Sequence, residues 1–268
     1  VLALFPFEPK YFHAVGLSCD FVGHPIVSES KASDKNVAEL RKEFSLKDDP
    51  IVLCLPGSRK SEVDQLMPVF GQALKKFSYI LPEAKFILLS TPDVYEYSKN
   101  YLRHMPEGII FLTPEEVGIE KYIDFKKASF QVSDLALAAS GTVSLELAAN
   151  QTPMVIGYDL NSLSRLIISS LLRTDTVTLV NLITGNRNIP ECIGSNLNVE
   201  NLFLETKSTT PMEIQLLEIM AESGTAFSET LETYRYVILI LFSFSSVLLI
   251  AALLFFQNNL SLDQIFLL

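Results

Sequence analysis

Apolar positions along the chain take two alternating forms: short unbroken runs, and stripes that recur at helical spacing. The runs at residues 51–55, 85–89, 109–112, 135–139 and 154–157 hold almost no polar residue, as strands covered on both faces do. Between the first two, Val63, Leu66, Met67, Phe70, Leu74 and Phe77 form a stripe at helical spacing and predict a helix over 61–79. Further helices are expected over 35–44, 94–104 and 161–172, and before Asp134, with Asp34 placed to cap the first. Strands alternating with helices of this length predict a parallel sheet with helices on both faces, an α/β fold.

The two ends follow another pattern. Residues 1–5 read as a strand ended by Pro6, residues 8–15 as a short helix stopped by Gly16, and residues 19–22 as an extended piece leading into Gly23-His24-Pro25. The opening run has no basic segment and no small-residue cleavage site, so it reads as the last strand of a domain whose earlier part lies outside the sequence, not as a signal peptide. Residues 28–35 have the polar make-up of a linker. Three regions are therefore expected: 1–27 as a domain remnant and junction, 28–231 as the main α/β domain, and 232–268 as a hydrophobic tail. Residues 236–256 carry no charge and match the length of a bilayer-spanning helix. Arg235 precedes them and no Lys or Arg follows, a bias that places the main domain on the cytoplasmic side. A buried hairpin helix or a misread end of the sequence are the alternatives for this run.

Charge removes one class of function. The formal net charge of −10 and pI near 4.9 leave no basic face for general nucleic-acid binding, although a few placed donors would suffice for one pyrophosphate. Hydrophobic residues make up 49% of the chain and mean hydropathy is +0.30, much of the excess lying at the C-terminal end. Cys19, Cys54 and Cys192 are far apart and outside any CxxC pair, which points to reduced, buried thiols. His13, His24 and His104 have no metal-ligand spacing with the cysteines or with each other, so no structural zinc site is expected; no cofactor is expected either.

Candidate chemistry collects at two loops. In DLALAASGTVSLELAANQTPMVIGY (134–158), the run 135–139 ends in Ser140, Gly141 and Thr142, an N-cap residue type, a flexible backbone position and a second hydroxyl. Such a turn leaves backbone N–H groups at a helix start where phosphate can bind. Glu146, one turn on, is a carboxylate that could accept from both hydroxyls of a ribose. The other loop, Pro56-Gly57-Ser58-Arg59, offers a glycine for close approach, a hydroxyl and a guanidinium fork for phosphate. Both loops fall at the carboxyl ends of predicted strands, where ligands bind in sheets of this kind. Neither fits a P-loop or GxGxxG spacing. A plain helix cap, a solvated Glu146 and a surface Arg59 are the structural alternatives.

Taken together, LPGSR followed by SEV, FVGHP, ASGTVSLELA, PMVIGY and RTDTVTLVNLITG occur in the order and spacing of one family: over 1–231 the chain resembles the second half of lipid-A-disaccharide synthase. The resemblance implies the two-domain GT-B fold and metal-independent, inverting transfer of a diacylated glucosamine from UDP to an acylated glucosamine phosphate. It implies that Gly57, Ser58 and Arg59 meet the donor pyrophosphate, that Ser140, Gly141 and Thr142 meet it from the opposite helix start, and that Glu146 holds the ribose. Asn181 would line the cleft or, equally, bond its own backbone, and His24 would pack the domain junction. The family's acceptor domain, with its expected catalytic base, has no counterpart in the sequence, and the tail departs from the family's soluble C-terminal helix. The implied partners are the UDP-diacylglucosamine donor, the acylated acceptor and the membrane surface, at the cytoplasmic face of a bacterial inner membrane. Another GT-B UDP-sugar enzyme, an epimerase of that type, or a non-catalytic UDP-binding module are the rival readings.

Overall fold

The computed structural model describes residues 1–159 and 176–208. Eight strands run through them: β1 (Leu2–Ala3), β2 (Asp20–Phe21), β3 (Ile51–Leu55), β4 (Lys85–Leu89), β5 (Ile110–Leu112), β6 (Leu135–Ala139), β7 (Met154–Tyr158) and β8 (Glu191–Ile193). The last six form one parallel sheet in the order β5-β4-β3-β6-β7-β8, so the sheet grows outward in both directions from the β3–β6 pair. That pair is in register from Val52 opposite Leu135 to Leu55 opposite Ala138, which brings the loops after the two strands side by side.

Alternation along these strands sorts the core into two layers, since successive side chains point to opposite faces. Ile51, Leu53 and Leu55, with Ala136, Ala138, Met154 and Ile156, face one layer, and Val52, Cys54, Leu135, Leu137, Ala139 and Val155 face the other. On the first face lie α2 (Asp34–Glu43), α6 (Ile119–Val132) and α7 (Val143–Ala149), through Leu40, Phe125, Leu145 and Leu147. On the second lies α3 (Lys60–Ile80), through the predicted stripe of Val63, Leu66, Met67, Phe70, Leu74 and Phe77, all buried. Each such side chain contributes roughly 1.5–3 kcal/mol on burial, which holds α3 against the sheet.

The α/β architecture expected from the sequence, a parallel sheet with helices on both faces, is the one found, with local corrections. Ser33, not Asp34, caps α2, its Oγ accepting from the Asn36 N–H at 3.1 Å. The expected helix over 94–104 is a short α4 (Tyr95–Ser98) continued as a 3-10 segment, Lys99–His104. Two helices precede Asp134, α5 (Pro114–Val117) and α6, separated by Gly118.

At the amino end, β1 and β2 pair in parallel around α1 (Pro9–Ala14), with a small core of Ala3, Phe12 and Cys19. Phe5 and Ile26 belong instead to the first-face core of the large sheet, so residues 1–27 are tied into the main body. The predicted helix over 161–172 and the tail over 236–256 lie outside the described residues. Among the described residues, no helix is long and apolar enough to cross a membrane.

Candidate functional site

The loop after β3 folds back on itself. Gly57 adopts φ +109°, a conformation that strains any residue with a Cβ, and a Cβ there would sit 2.3 Å from the Glu62 Oε2. That oxygen accepts from the N–H of Ser58 at 2.8 Å and of Arg59 at 3.2 Å. The other carboxylate oxygen takes the Arg59 Nη1 at 2.7 Å. Glu62 thus occupies the first turn of α3 as an internal anion, satisfying donors that a helix start otherwise leaves open. Arg59 stays largely exposed, so its guanidinium keeps further donors facing outward.

The turn after β6 is built differently. Ser140 donates its N–H to the Gly157 carbonyl at 3.2 Å and its Oγ to the Val177 carbonyl at 2.8 Å. Ser140 therefore does not cap α7, as its residue type had suggested. The helix begins at Val143, with Thr142 in the cap position and no side-chain bond. Among the described residues, the N–H groups of Gly141, Thr142 and Val143 have no hydrogen-bond partner. Ser144, on the first turn, is buried and returns its Oγ to the Gly141 carbonyl at 2.7 Å.

A carboxylate on β8 holds this turn from behind. Glu191 Oε1 accepts from Thr176 Oγ1 at 2.8 Å, Val177 N–H at 3.0 Å and Thr178 N–H at 2.7 Å. Val177 in turn receives Ser140. The following helix, Leu179–Thr184, carries Asn181, which is fully buried with both amide ends on Ile189: Nδ2 donates to its carbonyl at 2.9 Å, and Oδ1 accepts its N–H at 3.0 Å. Asn181 is neither a loop residue nor exposed to a cleft; it clasps the helix to the chain leading into β8.

Glu146 projects from α7 toward α6, where Lys126 Nζ lies 2.7 Å from its Oε2. Tyr158, at the end of β7, feels both sides of the first loop. Burial raises its phenol pKa, with the Glu62 charge adding to the rise and Arg59 opposing it. His24 is buried beside Phe5 and Ile26. Its Nδ1 accepts the Ile26 N–H at 3.1 Å, its ring stacks on Phe5 at 5.4 Å, and burial pushes its pKa down to about 4. The 3-10 segment it starts, Pro25–Ser28, rests on α7.

Seven of the eight sequence-chosen residues, those from the two loops together with Glu146, therefore gather around the carboxyl ends of β3 and β6. The family model for lipid-A-disaccharide synthetase matches residues 1–233, most of the chain. The chain belongs to that family. A lipid-A-disaccharide synthase from Ruegeria pomeroyi is 45% identical over 202 residues, which cover 75% of this chain and 50% of the relative. One from Rickettsia typhi is 38% identical over 198 residues, covering 73% and 49%. The chain thus spans about half the length of the curated relatives it matches. Among solved structures, the UDP-GlcNAc 2-epimerase of Methanocaldococcus jannaschii, in complex with UDP-GlcNAc and UDP, superposes with a TM-score of 0.53 at 17% identity, covering 87% of this chain and 60% of that one. A similar likeness to an enzyme described as a putative UDP-N-acetylglucosamine 2-epimerase from Listeria monocytogenes has a TM-score of 0.51 at 16% identity, covering 88% and 59%. At such identity the likeness is one of fold.

Four residues around the site were not among those chosen from the sequence: Glu62, Lys126, Tyr158 and Glu191. Glu62 had a local signal, an acid three residues after the loop at a helix start. The others join segments too distant in sequence for any pattern to connect them.

Proposed function

We propose that this chain forms the UDP-sugar side of a lipid-A-disaccharide synthase, which transfers 2,3-diacylglucosamine from UDP to 2,3-diacylglucosamine 1-phosphate and releases UDP. One observation carries the reading: in a chain of this family, two loops with phosphate-binding character lie side by side at the carboxyl ends of β3 and β6. The open N–H groups of Gly141, Thr142 and Val143 suit the pyrophosphate, and the positive end of α7 adds to them. Arg59 supplies a fork from the facing loop. Glu146 takes the ribose diol, because a carboxylate only accepts and each hydroxyl can donate.

The pyrophosphate is also the leaving group. Donors fixed around it bind the departing UDP more strongly as negative charge develops, which lowers the barrier without reorganisation during the reaction. Inversion needs the acceptor oxygen held opposite that leaving group while a base takes its proton. By the resemblance, that base and the acceptor site belong to the half of the relatives that this chain does not span. Both sugar substrates are acylated, so we place the reaction at the cytoplasmic face of the inner membrane.

Calorimetry of the 268-residue chain with UDP tests the assignment. Wild type is expected to bind UDP, and Glu146→Ala to bind at least tenfold more weakly, about 1.4 kcal/mol. A folded chain that fails to bind UDP would overturn the site. Disaccharide formed by the purified chain alone would overturn the placement of the base.

A further inference from the structure

The α6 helix lies between the end of β4 and α7, and it turns two side chains of one face toward the site. Tyr122 Oη donates to the Ser90 carbonyl, just past β4, at 3.1 Å. One turn later, Lys126 Nζ meets Glu146 Oε2 at 2.7 Å. The same ammonium sits 5.6 Å above the ring of Phe130, itself buried, so its position is set by a fixed aromatic as well as by the ion pair. Among the described residues, Lys126 is the partner of the Glu146 carboxylate, which keeps its other oxygen free. Burial, and after it the charge of Glu146, push the Tyr122 phenol up to about 12.

A half-buried ion pair of this kind contributes only modestly to stability. Its geometric effect is larger. A glutamate on a helix surface explores many rotamers, and a ligand that needs one of them must bear the ordering cost. Lys126 removes that freedom beforehand. It also offsets a negative charge that would otherwise stand unscreened near a pyrophosphate.

We propose that Lys126 is a positioning residue: it holds Glu146 in the rotamer that receives the ribose diol, so recognition of the ribose hydroxyls depends on a lysine that touches no part of the nucleotide. The inference rests on the assignment of Glu146 to the ribose. Its signature is selectivity for the hydroxyl, not affinity alone.

The experiment compares UDP with 2′-deoxy-UDP by calorimetry, using the full chain as wild type, Lys126→Met, Lys126→Gln and Lys126→Arg. Wild type is expected to prefer UDP by about tenfold, a usual penalty for one lost hydrogen bond to a charged group. The Met and Gln variants should narrow that preference to about two- or threefold while melting within about 2 °C of wild type, and Arg should restore it. If these variants keep the wild-type preference, or lose affinity equally for both nucleotides, Lys126 does not position Glu146. If wild type fails to distinguish the two nucleotides while still binding UDP, the ribose assignment falls first and the inference falls with it.

Discussion

The loops after β3 and β6 look alike in sequence, each with a glycine, a hydroxyl and a helix to follow, yet they are held in opposite ways. The first is stabilised from within: Glu62, five residues from Gly57, folds back onto Ser58 and Arg59. The second is stabilised from a distance: Ser140 leans on Gly157 and Val177, and Val177 leans on Glu191. The consequence is chemical. Self-holding consumes the donors of the first loop, whereas distant props leave those of the second free. On the proposed reading, the turn at Ser140–Thr142 would be the prepared anion site, and Arg59 would join it from a loop already occupied by its own carboxylate.

The distant prop offers the largest effect with which to break this comparison. Glu191→Ala would strip one acceptor from three donors, two of them backbone N–H groups in the part-buried segment 176–178. Buried donors left unpaired cost more than a hydrogen bond contributes when made, so a loss of about 2–4 kcal/mol is expected. UDP binding should weaken as well, because Ser140 loses the fixed carbonyl of Val177. Urea denaturation and calorimetry measure the two effects. A variant with an unchanged midpoint would mean that segment 176–178 is held by something other than Glu191.

Breaking the self-held loop should cost less. Gly57→Ala meets two obstacles together: a φ of +109° that alanine rarely adopts, and a methyl position 2.3 Å from the Glu62 Oε2. The carboxylate must leave Ser58 and Arg59, and the backbone must shift, for a loss of about 1–3 kcal/mol. The sheet and α3 core do not depend on that turn, so the chain should still fold. Equal urea midpoints for wild type and variant would show that Glu62 is not engaged there.

The same contrast explains what could be read from the sequence. Strands β3, β4 and β6 are found with the predicted ends, and α3 within a residue at each end, because unbroken apolar runs and a long buried stripe are local signals. The two loops were legible because they follow those strands. How each loop is held was not. Lys126 and Glu146 lie twenty residues apart on different helices, and Glu191 reaches back across the stretch leading out of β7; only the folded sheet brings them together. Residue type misled at two places. Ser140 has the chemistry of a cap but spends its hydroxyl on Val177, and Asn181 has the chemistry of a loop or cleft residue but is fully buried in a helix. In both cases tertiary contacts overrode a sound local preference.

Gly141 gives the smallest expected effect on stability and sharpens the comparison most. Unlike Gly57, it does not have a positive φ, and a Cβ placed on it meets nothing within 4 Å. Folding therefore does not require glycine here, and Gly141→Ala should change stability by no more than about 0.5 kcal/mol, with the lower chain entropy of alanine acting in its favour. Binding is another matter. The open space that would accept the methyl adjoins the N–H groups of Gly141, Thr142 and Val143, which have no partner among the described residues. If a pyrophosphate approaches that backbone, the methyl obstructs it and UDP affinity should fall by at least tenfold, about 1.4 kcal/mol. The expected pattern is a divergence: Gly57→Ala lowers the urea midpoint, while Gly141→Ala leaves it in place and weakens UDP. Were Gly141→Ala to destabilise the protein as Gly57→Ala does, the turn would be a constrained element of the fold and the contrast between the loops would fail. Were it to leave both stability and UDP binding untouched, the phosphates would not lie against this turn, and Arg59 would have to bind them without it.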